Sequence, residues 1–167
     1  MLGHNRLSGT IPSSLGKLSG LDQFYLGANQ LYGAIPSSLS QLSGLTVLNL
    51  FHNELSGTIP SSFDQLTNLR VILLSDNMLS GTIPSSLVQL NNLNVLYLQN
   101  NQLLGSIPSM VGTMEKLEVL NLFNNQLTSV APTTIQPNKL RDCNMSLNQF
   151  KCPIPTWTNA KCNATCV

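Results

Sequence analysis

LTVLNLFHNELSGTIPSSFDQL, from Leu45 to Leu66, is the stretch that decides the fold, because close copies of it fill most of the chain. The asparagine near its centre recurs every 24 residues, and a final copy comes one residue early. The seven positions are Asn5, Asn29, Asn53, Asn77, Asn101, Asn125 and Asn148. A fixed period of this length is typical of a solenoid, in which each repeat forms one coil stacked on its neighbours.

Each repeat begins with the alternation of a short strand. Leu48 and Leu50 point to one side of that strand, and Val47 and Asn49 point to the other. One such strand cannot bury its apolar side alone, so successive copies must stack about 4.8 Å apart. We therefore predict that the leucines of all coils form one shared core.

The asparagine that follows the strand has a structural role in this prediction. Its side-chain amide both donates and accepts, so Asn53 can pair with backbone groups that the turn leaves free. Stacked coils then predict a buried asparagine ladder. Its members are Asn29, Asn53, Asn77, Asn101, Asn125 and Asn148.

The second half of the repeat has the pattern L-x-G-x-I-P. It occurs at Leu31, Gly33, Ile35 and Pro36; at Leu55, Gly57, Ile59 and Pro60; at Leu79, Gly81, Ile83 and Pro84; and at Leu103, Gly105, Ile107 and Pro108. This pattern resembles the plant-type leucine-rich repeat of extracellular proteins. The resemblance implies an α/β fold: a right-handed solenoid with a parallel sheet on its concave face. It also implies a shorter second sheet and 3₁₀ or short helical returns on the convex side.

Composition narrows the classes of partner. Only 9% of the 167 residues are charged, and the net charge is +1. Because the basic residues are scattered, nucleic acid and anionic membrane are not expected as principal partners. No apolar run approaches the roughly 18 residues of a membrane span.

The two ends of the chain differ. Leu2 has the same place relative to Asn5 that Leu50 has relative to Asn53, so the first coil is incomplete. We predict a solenoid over residues 1–142, followed by a last coil and C-terminal cap over residues 143–167. An uncapped coil exposes apolar side chains and a strand edge, which favours a fragment of a longer array or, alternatively, an end-to-end dimer.

The predicted cap contains every cysteine of the chain: Cys143, Cys152, Cys162 and Cys166. An even number confined to one segment predicts two disulfides, with three connectivities open. A zinc site is disfavoured because no histidine lies nearby. Asn144 and Asn163 begin glycosylation sequons, and with the disulfides they indicate an extracellular or cell-surface protein.

The solvent-facing strand positions form columns along the concave face, and they supply the candidate ligand-binding residues. The expected apolar anchors are Tyr25, Phe51, Leu73, Tyr97 and Phe123, and the expected polar contacts are His52, Asp76 and Gln99. These residues predict recognition of a protein or peptide ligand, as in a receptor-like or inhibitor-like module. The alternative is that they pack against one another as cross-strand neighbours.

Two other functions are weighed against recognition. His52 and Asp76 fall on adjacent coils beside Ser75, but consecutive Ser75 and Asp76 on a smooth sheet do not suit a hydrolase triad. We therefore expect no enzyme, no cofactor and no metal. A column of hydroxyl residues on the second sheet, interrupted by alanine and valine, leaves ice binding as an alternative. Its members are Thr10, Thr58, Thr82 and Ser106.

Overall fold

The computed structural model describes residues 2–130, 139–154 and 162–166. Short parallel strands alternate between two sheets as the chain coils, and each described sheet has six strands. The concave sheet contains, from one edge to the other, β2 (Gln23–Tyr25), β4 (Val47–Asn49), β6 (Val71–Leu73), β8 (Val95–Tyr97), β10 (Val119–Asn121) and β12 (Asp142–Asn144). The second sheet contains β1 (Ser8–Gly9), β3 (Gln30–Ala34), β5 (Glu54–Thr58), β7 (Met78–Gly81), β9 (Gln102–Ile107) and β11 (Gln126–Val130).

Short 3₁₀ helices return the chain from the second sheet to the concave sheet. In the described residues they span Ser13–Lys17, Ser37–Gln41, Ser61–Gln65, Ser85–Gln89 and Ser109–Thr113. A proline precedes each helix, and the carbonyl of Pro60 accepts the N–H of Phe63 at 3.1 Å. Because proline fixes its own φ and lacks an N–H, it begins such a tight turn at little cost. The predicted α/β solenoid with 3₁₀ returns is confirmed.

The leucines of successive coils form one continuous core between the two sheets. Leu48, Leu50 and Leu55 are fully buried, as are Phe63 and Leu66 from the helical return. Burial falls at the first coil, where the side chains of Leu2 and Leu18 are 57% and 50% exposed. The end-to-end dimer predicted through this coil stays a prediction.

The two sheets pair at different registers. In the concave sheet Leu48 lies opposite Ile72, a step of one full repeat, whereas in the second sheet Thr58 lies opposite Ser80, two residues short of a repeat. A lateral spacing of about 4.8 Å combined with a two-residue slip separates equivalent residues of the second sheet by roughly 8 Å. The slip lets strands on the longer, convex side stay hydrogen-bonded. Thr58 therefore lies opposite Ser80 rather than opposite Thr82.

The cap is held by two disulfides, and the structure selects one of the three open connectivities. Cys143 pairs with Cys162, and Cys152 pairs with Cys166. The N–H of Met145 donates to the carbonyl of Cys162 at 2.7 Å, so the cap continues the hydrogen bonding of the last strand. The predicted pair of C-terminal disulfides is confirmed. The boundary predicted between residues 142 and 143 falls inside β12 and stays a prediction.

No helix within residues 2–130, 139–154 and 162–166 has the length and apolar character needed to cross a bilayer.

Candidate functional site on the concave face

The asparagine ladder holds the concave sheet rigid. The Nδ2 group of Asn77 donates to the carbonyls of Leu50, Leu74 and Ser75 at 3.0, 3.2 and 3.1 Å, and its Oδ1 accepts the N–H of Leu55 at 3.0 Å. Two of these partners belong to the preceding coil and two to its own. The same set of bonds recurs at Asn29, Asn53, Asn101, Asn125 and Asn148. Each asparagine therefore fixes one strand end to the next.

The residue before each of the seven repeat asparagines, Asn5 included, has a left-handed backbone. These residues, with φ between 50° and 56°, are His4, Ala28, His52, Asp76, Asn100, Asn124 and Leu147. Few residues other than glycine adopt this region, and asparagine and aspartate do so at the least cost. These residues follow the carboxyl ends of the concave strands, and they form the edge of the concave face on that side, called the upper edge below. There Asn124 donates to Asn100 at 3.0 Å, and Asn100 donates to Asp76 at 2.6 Å.

The arrangement around His52 does not form a catalytic triad. His52 and Asp76 lie on adjacent coils, but neither a hydrogen bond nor an ion pair joins these two described side chains. Ser75 is only 4% exposed, and its carbonyl accepts the N–H of His52 at 2.9 Å. Asp76 is instead engaged by Asn100. The described part of the chain also contains no cluster of three potential metal-ligating side chains.

An apolar patch occupies the middle of the concave face. The register places Leu73 of β6 directly beside Tyr97 of β8, with Asn49 and Asn121 on the outer sides of that pair. Leu73 and Tyr97 are half-buried, so each keeps part of its side chain open to solvent. The patch is thus framed by amides on both flanking strands.

A column of four valines widens this patch, and sequence reasoning did not include it among the site residues. Val71 and Val95 are paired neighbours on β6 and β8, and both are half-buried. Val47 and Val119 continue the column on either side. The signal was present, because these valines share the outward phase of Asn49 in four consecutive repeats. The patch of the concave face is defined here as Leu73, Tyr97 and these four valines.

The Phe51 ring lies over Gly27 of the preceding coil. A Cβ atom at Gly27 would collide with the Phe51 ring and with Oδ1 of Asn49. The ring makes an edge contact with His4, with centroids 5.8 Å apart, and its centroid lies 6.4 Å from that of His52. A missing side chain in the second coil therefore lets an aromatic ring from the third reach the first. The Phe51 ring therefore covers the part of the concave face around Gly27.

The remaining candidates lie at either end of the patch. Tyr25 and Phe123 are half-buried, on β2 and just beyond β10 respectively. Gln99, which lies just after β8, has a buried Oε1 atom without a hydrogen-bond partner in the described residues. The structure therefore places all eight predicted residues on one face, but as a central patch with two flanks rather than one uniform row.

A parallel-strand solenoid with an asparagine ladder and an amide-framed concave face defines the class of leucine-rich repeat proteins. Sequence comparison agrees: the profile described as leucine rich repeat matches residues 1–55 and 43–103, and a second leucine rich repeat profile matches residues 116–138. The chain belongs to the leucine-rich repeat family. A search of curated proteins found no match.

Solved structures of plant proteins superpose closely on the chain. The peptide hormone receptor RGFR1, solved with RGF2, gives a TM-score of 0.90 at 34% identity over 95% of this chain and 26% of the receptor. The HAESA ectodomain of Arabidopsis, solved with an IDA peptide hormone, gives 0.86 at 36% identity over 90% and 25%. A plant ice-binding protein gives 0.85 at 35% identity over 90% and 49%. The chain spans about a quarter of the length of these receptors.

Proposed function

We propose that this chain is a non-enzymatic recognition module that binds a protein or peptide ligand on its concave face. The observation that carries the proposal is the central patch, in which Leu73 and Tyr97 stand side by side between Asn49 and Asn121. Apolar anchors surrounded by polar groups are what binding surfaces use at their centres. The flanking candidates Tyr25, Phe51, His52, Asp76, Gln99 and Phe123 would then contact the ends of the ligand.

The amides that frame the patch are held in place by their own backbone. Oδ1 of Asn49 accepts the N–H of Phe51 at 3.3 Å, and Oδ1 of Asn121 accepts the N–H of Phe123 at 3.1 Å. Each amide therefore has its oxygen engaged and its orientation restricted before any ligand arrives. Because fewer rotamers are lost on binding, such a surface binds more tightly than a flexible one of equal area.

The structural relatives support the same proposal. RGFR1 and HAESA are receptors solved with peptide hormones, and both share this fold at more than 30% identity. The two disulfides of the cap suit an oxidising compartment. We therefore place the proposed recognition outside the cell or at its surface.

The test uses a matched pair of double variants. Leu73→Asp with Tyr97→Asp alters the central patch, and Tyr32→Asp with Leu104→Asp makes the same chemical change on the second sheet, where those side chains are 52% and 44% exposed. Immobilised wild type and both variants are exposed to extracellular extract from the source, and captured proteins are identified by mass spectrometry and then titrated.

We expect the patch variant to lose at least about a hundredfold in affinity for the captured ligand, because charge replaces two adjacent anchors. The second-sheet variant should bind like the wild type. Circular dichroism checks that both variants are folded. Equal binding by the two folded variants would exclude the concave patch as the ligand site.

Ice binding through the second sheet is the other candidate, because an ice-binding protein is among the structural relatives. The structure favours it less than concave recognition. Equivalent hydroxyls such as those of Thr58 and Thr82 are roughly 8 Å apart rather than one strand spacing. Tyr32 and Leu104 also protrude from that sheet. We expect no thermal hysteresis; hysteresis that disappears in Thr58→Tyr would reverse this preference.

A further inference from the structure

Asn144 lies on the concave sheet itself, at the end nearer the cap. It belongs to β12 and is the direct neighbour of Asn121, so it continues the column that contains Leu73 and Tyr97. Unlike the other asparagines of that column, it begins a sequon, because a serine follows two residues later. In the coils of Asn49 and Asn121 that place is taken by Phe51 and Phe123.

The local geometry leaves the attachment atom of Asn144 uncommitted. Its Oδ1 accepts both the N–H of Ser146 at 3.0 Å and the hydroxyl of Ser146 at 2.7 Å. Within the part of the chain that the structure describes, no hydrogen bond engages its Nδ2. The nearby ladder residue Asn148 contrasts with it, since the Nδ2 of Asn148 donates to three carbonyls. A substituent on Nδ2 of Asn144 therefore breaks no bond of the fold.

We propose that Asn144 is N-glycosylated and that its glycan closes the cap end of the concave face. In that reaction Nδ2 of Asn144 bonds to the anomeric carbon of an oligosaccharide carried on a lipid diphosphate. The sugar–phosphate C–O bond breaks, the lipid diphosphate leaves with the bonding electrons, and one amide proton passes to solvent. The transfer requires a glycosyltransferase of the secretory pathway that accepts the sequon.

The position of the glycan has a consequence for the ligand. Asn144 is two strand spacings from Tyr97, about 10 Å, which is within the reach of the first sugars of a glycan. A ligand on the patch would then end at β10 and extend toward β2, over Tyr25 and Phe51. This second part rests on the proposed function, whereas the modification itself does not.

The second sequon is the internal comparison. Asn163 is exposed and lies in the cap, next to the disulfide-bonded Cys162 and outside the six strands of the concave sheet. Because Asn163 does not belong to the column that contains Leu73 and Tyr97, its occupancy would report entry into the secretory pathway and would not test the boundary of the ligand site.

Occupancy is tested on protein secreted from a eukaryotic cell, by releasing the glycans enzymatically in heavy-oxygen water and sequencing the peptides by mass spectrometry. We expect most molecules to have carried a glycan at Asn144. Ser146→Ala should abolish it, Ser146→Thr should retain it, and Asn163→Gln should leave it unchanged. An unmodified Asn144 in folded, secreted wild type and Ser146→Thr protein would overturn the proposal, and this result needs no ligand.

The boundary is tested with a ligand captured by the patch. Phe123→Ser places a new sequon at Asn121, one strand nearer the patch, and Phe123→Ala is its control without a sequon. We expect the Phe123→Ser protein to bind more than about tenfold more weakly than the control until its glycans are removed. Enzymatic removal of the native glycan should change affinity less than about threefold. A tenfold gain on that removal would show that the ligand crosses β12 and would overturn the boundary.

Discussion

The concave sheet and the second sheet are built from the same repeats, yet they order their side chains differently. Concave strands pair one full repeat apart, so equivalent residues stand directly opposite each other, as Leu73 and Tyr97 do. Strands of the second sheet pair two residues short of a repeat, which brings Thr58 opposite Ser80. Residues at the same position of successive repeats therefore lie directly opposite one another on the concave sheet, but are offset by two residues on the second sheet.

The slip in the second sheet also changes what the threonines contact. A Cβ atom placed on Gly81 would meet the γ-methyl of Thr58 at 2.8 Å, and one on Gly105 would meet that of Thr82 at 3.1 Å. Threonine of one coil thus covers glycine of the next. The γ-methyl groups of these threonines therefore contribute to packing between coils, whereas Leu73 and Tyr97 of the concave sheet stay partly exposed.

The largest predicted difference between the sheets concerns hydrogen bonding. Asn77→Ala removes four bonds and leaves the buried N–H of Leu55 without its partner, although the carbonyls of Leu50 and Leu74 keep their bonds from Asn53 and Asn101. These losses should lower the free energy of unfolding by about 3 kcal/mol. On the second sheet, the half-buried Ser80 makes one long bond of 3.4 Å to the Gly57 carbonyl. Ser80→Ala should cost less than about 0.5 kcal/mol. Urea denaturation measures both; equal losses would contradict the structural role of the ladder.

The next prediction separates backbone strain from the threonine contact in the second sheet. Gly57 and Gly81 have φ of 78° and 75°, but a Cβ on Gly57 meets only Ala34, at 3.6 Å. Gly57→Ala should therefore cost about 1 kcal/mol for its backbone alone. Gly81→Ala should cost about 2 kcal/mol because Thr58 must also move.

Introducing Gly81→Ala into a Thr58→Ala protein should return its cost to that of Gly57→Ala. Thermal and urea unfolding of the four proteins would provide this cycle. A cost for Gly81→Ala that does not depend on Thr58 would mean that the two coils are not packed by this contact.

A smaller effect on stability is expected at the contact between Phe51 and Gly27 on the concave face. Gly27→Ala displaces the Phe51 ring and should destabilise the protein by about 1 kcal/mol. In a Phe51→Ala background the same change should cost less, because the ring is absent and only the contact with Oδ1 of Asn49 remains. The coupling is measured by a double-mutant cycle in urea, and strictly additive losses would show that Phe51 does not lie across Gly27.

The smallest prediction is a gain in stability at the upper edge of the concave face. Ala28 has a φ of 55°, in a column where Asn100 and Asn124 occupy the same conformation. Ala28→Asn should stabilise the protein by about 0.5 kcal/mol, since asparagine tolerates this conformation better than alanine. Ala34→Asn, in a strand of the second sheet, is the control and should not stabilise. A loss at both positions, measured by the melting temperature, would refute the argument.

Much of the fold could be predicted because the relevant signals are local and repeated. Leucines in phase with Leu48 and Leu50, and the L-x-G-x-I-P pattern, predict strands, turns and returns without any long-range information. The second-sheet register could not be predicted from period alone, since it depends on how curvature lengthens the convex side. The valine column is harder to recognise as part of a site, because valine is common in strands whatever their function.

The sequence by itself determined the coil period, the inward phase of the leucines, the asparagine ladder and the position of the cysteines, because each depends only on spacing along the chain. Only the tertiary structure decided the disulfide pairing, the slip of the second sheet, the position of Phe51 over Gly27 and the joining of Leu73, Tyr97 and the valines into one patch. Those features depend on distances between residues of different coils, and such distances exist only once the coils are stacked.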